Sequence, residues 1–164
     1  MPIAPQLLRQ AMGQFATGVT VITAAVDGAV HAMTANAVTS VSLEPPLVLV
    51  CVGRQRAMHG VLERAGRYGI NVLAAEQEPV ARFFARQTDQ EPAYRFVQQP
   101  PKAPRLEGAL AYLDCRVVER LPGGDHTIFL AEVEHAEVYG GDPLLFFGGR
   151  YARLASPTTT PSLR

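Results

Sequence analysis

Residues 18–52 read GVTVITAAVDGAVHAMTANAVTSVSLEPPLVLVCV, and the fold turns on how this stretch breaks. β-branched residues dominate it, which favours a pleated, half-buried chain. Asp27-Gly28 is the dipeptide of a two-residue hairpin turn, so residues 18–26 and 29–42 are expected as two long strands joined there. Pro45-Pro46 then removes two ladder donors. From Pro46 to Val52 the text PLVLVCV is almost unbroken apolar, which predicts a further, buried strand.

Working outward, Pro5 suits the first turn of a helix, and Leu8, Met12 and Phe15 follow at i, i+4, i+7, a stripe expected to pack on a core. That helix ends between Gly13 and Gly18. Downstream, AMHGVLERAG predicts a short helix with Met58, Val61 and Leu62 on its apolar face and Gly66 as its C-terminal cap. A strand over 67–73 follows. EQEPVARFFAR predicts a second amphipathic helix, acidic in its first turn and basic later, as the helix dipole favours. The segment from Thr88 to Arg105 holds four prolines and reads as a long loop, a lid or a partner surface.

The last third returns to strands over 109–121, 125–138 and 143–154, with a turn at Pro122-Gly123-Gly124. In the first of these, Ala111, Leu113, Cys115 and Val117 alternate with Tyr112, Asp114 and Arg116, which predicts burial of the former face. Strands of this length suit a sheet that coils and closes, so the expected architecture is mostly β with a few helices, arranged as a barrel. Residues 1–154 form one domain on this reading. The tail 155–164, ASPTTTPSLR, has no periodicity and is expected to be disordered.

Composition removes several function classes. The 164 residues are 48% apolar and 18% charged, and 15 basic residues balance 15 acidic ones, so no net field gathers nucleic acid or an anionic membrane. No stretch reaches the roughly 18 apolar residues of a membrane span, and the N-terminus lacks the pattern of an export signal; the expected location is the cytoplasm. Cys51 and Cys115 sit in apolar runs without a C-x-x-C, which favours structural thiols. There is no G-x-G-x-x-G after a strand, no phosphate loop of the G-x-x-x-x-G-K type and no G-x-S-x-G, so a Rossmann unit is not expected. His31, His59, His126 and His135 show no metal-ligand spacing, and no metal is predicted.

Within the opening stretch, Thr34, Asn36, Thr39, Ser40 and Ser42 concentrate short hydrogen-bonding side chains in a segment poor in charge. A polar, planar ligand lying along the strand would use them. By residue type alone, ordinary strand threonines and a bend before Pro45 explain them better.

Six blocks in order change that weighting: FATGVTVIT (15–23), MTANAVTSVSLEPPLVLVCV (33–52), INVLAAEQ (70–77), RFFA (82–85), GDHTIFLAEV (124–133) and GGRYARL (148–154). Together they resemble the signature of the short-chain flavin reductase family, over about residues 8–154. That resemblance implies an FMN-binding split β-barrel, a homodimer, and an NAD(P)H-dependent reductase that passes hydride to FMN or FAD and supplies reduced flavin to a separate monooxygenase. Two other uses of the fold stay open: an oxidoreductase that retains its FMN and acts on a small substrate, and a flavin-binding protein without turnover. The chain departs from the family in having Ala32 before Met33 in place of Gly, and Gly-Arg-Gln-Arg-Ala where relatives offer a loop hydroxyl.

The resemblance also implies roles for individual residues. Thr34, Ala35 and Asn36 would lie beside the isoalloxazine ring, while Ser40, Val41 and Ser42 would bond along the ring and ribityl chain. Cys51, Val52 and the loop through Ala57 would pass the ribityl phosphate, with Arg54 or Arg56 pairing it in place of the missing hydroxyl. Arg82, Phe83 and Ala85 would line the nucleotide side, and Arg150 and Tyr151 would close the pocket edge. His126 is the catalytic candidate, facing the nicotinamide. Neighbours on a strand point to opposite faces, so Asp125 and His126 are not expected to bond each other unless the turn runs through the pair.

Overall fold

The computed structural model describes residues 1–155; the rest of the predicted tail, 156–164, lies outside the described residues. The elements run α1 (Pro5–Gly13), β1 (Thr17–Gly18), β2 (Thr20–Val26), β3 (Ala29–Ala35), β4 (Val38–Leu43), β5 (Pro46–Gly53), α2 (Ala57–Ala65) and β6 (Arg67–Val72). A 3-10 turn (Ala75–Gln77) leads into α3 (Glu78–Phe84), followed by β7 (Phe96–Val97), β8 (Arg105–Leu106), β9 (Ala111–Gly123), β10 (His126–Val138), β11 (Leu145–Phe147) and β12 (Arg150–Ala152).

Seven antiparallel strands form the main sheet in the order β3-β2-β6-β9-β10-β5-β4. Asp27 (φ 52°) and Gly28 (φ 77°) make the expected hairpin turn between β2 and β3. The single strand expected over 29–42 is instead two. It breaks at Asn36-Ala37, where the chain leaves the partner β2 and crosses to pair with β5, so the two end strands of the sheet are consecutive in sequence. Ala37 carbonyl accepts from Cys51 N–H at 3.0 Å and fixes the crossing point. The sheet therefore curls so that its edges meet at one place and part elsewhere.

Alternate residues of the strands fill the interior: Ile22 and Ala24 of β2, Val48, Val50 and Val52 of β5, Tyr68 and Ile70 of β6, with Phe129 of β10. α2 plugs this core with Met58 and Leu62, and Gly66 (φ 62°) caps it as expected. Full burial of a side chain such as Leu62 is worth about 1.5–3 kcal/mol. β2 is buried on both faces because Val21, with Val19 just before the strand, meets a second core, built on Leu73, Val80 and Ala81, where α3 packs.

The remaining expectations fare unevenly. The α1 stripe does not pack on this chain's core: Leu8, Met12 and Phe15 are all more than half exposed and the helix buries nothing. In β9 it is Tyr112 and Asp114 that are buried, not only the face of Cys115. The cause is the segment 88–105, which lies over that face rather than hanging free. Ala103 N–H donates to Asp114 at 2.9 Å, Tyr112 hydroxyl donates to Ala103 carbonyl, and β7 pairs with β8. The last hairpin turns are also displaced from expectation: β9 and β10 turn at Gly124-Asp125, and Gly148-Gly149, both with positive φ, form the turn between β11 and β12. Cys51 and Cys115 are free thiols, and burial pushes Cys115 up to about 12.

Candidate functional site

β3 is an end strand, so one edge of its backbone has no strand partner. Along that edge a cleft of about 520 Å³ opens, walled by residues 31–37, by Cys51 and Gly53 of β5, and by the start of α2. Phe84, Ala85, Arg86 and Gln87, at the end of α3, close the other side. Thr34 Oγ1 donates to Ala81 carbonyl at 2.6 Å, which clips β3 to α3 and uses that hydroxyl structurally. Backbone groups of the free edge are what β3 offers to a polar ring.

At one end of the cleft stand Gln55, Arg56 and Ala57. Arg56 is the N-cap of α2 and makes no side-chain cap bond, so the first N–H groups of the helix have no side-chain partner at this end of the cleft. Such a helix start favours an anion. Gly53 keeps the passage open: a Cβ there would lie 3.4 Å from Arg56 Cγ and 3.7 Å from His126 Nε2.

His126 reaches the same wall from the start of β10. Its Nδ1 lies 2.7 Å from Asp125 Oδ1. The condition for this contact is met because Asp125 belongs to the two-residue turn and escapes the strand alternation. A carboxylate only accepts, so Nδ1 carries the proton and Nε2 is left toward the cleft. The hydrogen bond and the nearby imidazole, with a small contribution from Arg54, hold the Asp125 carboxyl below its ordinary 3.8.

Of the residues singled out in the sequence, Thr34, Ala35, Asn36, Cys51, Arg56, Ala57, Ala85 and His126 meet at this cleft. Ser40, Val41 and Ser42 do not line it; they lie on β4 beyond the crossing, with a bulge at Val41. Val52 turns its side chain into the core, and Arg54 contacts the β9–β10 turn through its N–H to Asp125 carbonyl at 3.0 Å. Arg82 is held by Glu78 at 2.7 Å and lies over the Tyr151 ring at 4.9 Å, while Phe83 faces a separate cleft. Arg150 and Tyr151 belong to β12, outside the first cleft. Sequence reasoning gave no role in the site to His31, Met58, Val61, Phe84, Arg86 or Gln87. Met58 and Val61 were legible only as an apolar helix face, and the face turns out to serve core and cleft together.

An unpaired strand edge beside a helix N-terminus and an imidazole is an arrangement suited to a planar, anionic ligand. Comparison with known proteins narrows that class. A family model described as flavin reductase like domain matches residues 12–155. An NADH-dependent flavin reductase of a Rhodococcus species is 44% identical over 155 residues, covering 93% of this chain and 88% of that protein. An NADH-dependent FAD reductase of Streptomyces globisporus is 43% identical, covering 90% and 85%. Among solved structures, flavin reductase PheA2 in its native state superposes with a TM-score of 0.90 at 43% identity, covering 94% of this chain and 100% of that one. The chain belongs to the flavin reductase-like family, and the architecture is the split barrel of those enzymes.

Proposed function

We propose that this protein is an NADH-dependent flavin reductase that passes hydride to FMN or FAD and releases the reduced flavin to a separate monooxygenase. The observation that carries it is the cleft itself, lying within a chain matched to the family over residues 12–155. Relatives named as reductase components of two-component systems, among them the one acting with a 4-nitrophenol monooxygenase of Rhodococcus opacus, support the hand-off. NADH is favoured as donor by the names of the similar reductases.

The residues fit a flavin. The open edge of β3 from Met33 to Asn36 suits the hydrogen-bonding rim of the ring, and Arg56 with the α2 N-terminus suits a ribityl phosphate. Bound flavin supplies the hydride-accepting centre, a reaction that needs no acid or base from the protein. The chain's work is then alignment and charge. His126 presents Nε2 at the cleft wall on a ring fixed by Asp125, where it orients the nicotinamide and balances charge. Ser40 and Ser42 would serve a flavin only where it extends past the crossing onto β4.

A homodimer accords with the exposed apolar face of α1 and with Phe147 beside it, since Gly148 N–H donates to Gly13 carbonyl at 2.8 Å and brings the two together. Consumption of NADH and two unpaired cysteines accord with a cytoplasmic location. The test is to mix purified protein with NADH or NADPH and follow nicotinamide oxidation with and without added FMN, FAD or riboflavin. Turnover that rises with free flavin is expected. Bound flavin that neither nicotinamide reduces would overturn the reductase reading.

A further inference from the structure

His59 and Thr127 tie together two elements of the first cleft through a contact that the chemistry above leaves unused. His59 lies three residues beyond Arg56, the N-cap of α2, and its N–H donates to Arg56 carbonyl at 3.0 Å. Its Nε2 stands 2.8 Å from Thr127 Oγ1, and Thr127 follows His126 on β10. Strand alternation sends His126 to the cleft and Thr127 into the barrel, where the threonine is buried. The imidazole also meets the ring of Phe129, two residues further along β10, edge-on at 5.6 Å between centroids. Among the described residues the Thr127 hydroxyl has no other partner.

The two elements carry the two groups that flank the passage at Gly53. A Cβ on that glycine would lie 3.4 Å from Arg56 Cγ and 3.7 Å from His126 Nε2, so the two walls face each other across it. Other links between them lie elsewhere. Arg54 N–H donates to Asp125 carbonyl at 3.0 Å, joining the loop to the β9–β10 turn ahead of both groups. Arg120 of β9 pairs with Glu63 at 3.1 Å, an exposed contact that water and salt screen, and the other Glu63 oxygen is 4.0 Å from His59 Nε2. Met58 and Leu62 keep the body of α2 in the core whatever becomes of His59. Apolar packing is non-directional, whereas a hydrogen bond to a buried hydroxyl fixes where the helix starts.

We propose that His59 is a positioning residue for hydride transfer: through Thr127 it sets the spacing between the α2 start, which holds the flavin phosphate, and His126, which orients the nicotinamide. The proposal rests on the reductase reading. The two reactants are anchored on different elements, and their reacting atoms must meet at about 3–3.5 Å. A misplacement of about 1 Å costs up to about a hundredfold in rate. Each ligand keeps its own contacts when the spacing slips, so the rate within the assembled complex falls while the affinities hold.

Thr127→Val removes the hydroxyl, and His59→Phe removes the nitrogen while keeping a ring edge against Phe129. FMN-loaded protein mixed rapidly with saturating NADH reads the rate of flavin reduction, which is expected to fall about tenfold in each variant. The double variant should also fall about tenfold, not about a hundredfold, because both changes remove one bond. FMN affinity by fluorescence titration, and the NADH concentration giving half the maximal rate, are expected within about twofold of wild type. His59→Gln, whose amide offers the hydroxyl a partner, should regain most of the rate. Unchanged reduction rates overturn the proposal, as does full additivity in the double variant or a loss of FMN affinity equal to the loss of rate. Without NADH, the link is read by hydrogen exchange of amides 54–60 in FMN-loaded protein, expected to quicken about threefold or more in Thr127→Val. Wild-type FMN that neither NADH nor NADPH reduces sinks the reductase reading by itself; unchanged exchange overturns the link in either case.

Discussion

His126 and Asp125 show how one residue of turn placement sets chemistry. Were the turn at Gly123-Gly124, strand alternation would send the two side chains to opposite faces. With the turn at Gly124-Asp125, the carboxylate swings to Nδ1 and fixes the ring at the cleft wall. His126→Ala should lower kcat/KM for NADH by about tenfold or more, or about 1.4 kcal/mol of transition-state stabilisation, and leave flavin titrations unchanged. Arg56→Ala should do the reverse, weakening FMN binding by about tenfold to a hundredfold as a charge-assisted contact is lost. Fluorescence titration of flavin beside steady-state kinetics on both variants checks the division. Equal loss of both properties in His126→Ala would make that residue structural. The histidine was legible in the sequence within its block, but its bond to Asp125 was not, because the residue at which a Gly-rich turn closes depends on the register of β9 against β10.

At the scale of elements, the segment 88–105 is the part least readable in advance. Its prolines and polar residues announce irregular backbone, yet buried groups from three strands hold it down. Thr23 Oγ1 donates to Pro104 carbonyl at 2.5 Å, Asn71 Oδ1 accepts from Leu106 N–H at 2.7 Å, and Arg67 pairs with Asp114 beneath it. Gly69 makes this close approach possible: a Cβ there would meet Thr23 Oγ1 at 2.5 Å and both Pro104 carbonyl and Tyr112 at 3.0 Å. Gly69→Ala should destabilise the fold by about 1–3 kcal/mol, read as a lower urea midpoint with unchanged slope.

The outer face of β9–β10 carries a second, pH-dependent device. Glu134 accepts from Arg116 at 2.7 Å and from Arg67 at 2.5 Å, and these hydrogen bonds, Arg116 first, hold its carboxyl below the ordinary 4.5. A carboxyl depressed by folding adds stability that is complete above its unfolded value and disappears as pH falls through the folded one. Glu134→Gln should therefore be modestly less stable than wild type near about pH 7, with the gap closing by about pH 3. Denaturant unfolding at the two pH values measures it; a gap independent of pH would show that the charge is not the source.

Across the whole molecule, the decisive arrangement is the meeting of β3 and β4, the two ends of one sheet, at Asn36-Ala37. It leaves an unpaired strand edge facing α2 and the end of α3, and the cleft follows from that. It also leaves α1 on the outside with its apolar stripe uncovered. For the homodimer proposed above, Met12→Lys combined with Phe15→Ser should give a monomer in analytical ultracentrifugation while preserving the circular dichroism, since neither residue is buried in the chain. An unchanged mass would remove this face from the interface.

What the sequence by itself determined is most of the elements and their order. The hairpin at Asp27-Gly28, the α2 helix with its Gly66 cap, the amphipathic α3, the long C-terminal strands and the ordered blocks that carry the family all depend on contacts within a few residues or on patterns of side chain type. Tertiary structure alone decided which faces are covered and which side chains share a cleft. Tyr112 and Asp114 are buried because a distant loop lies on them, the stretch from Met33 to Ser42 is divided between two strands at opposite ends of the sheet, and Arg86 reaches two clefts because α3 ends in a left-handed turn. The physical reason is common to all three: strand periodicity fixes which residues point the same way, but what lies opposite them is set by pairings between segments far apart in the chain.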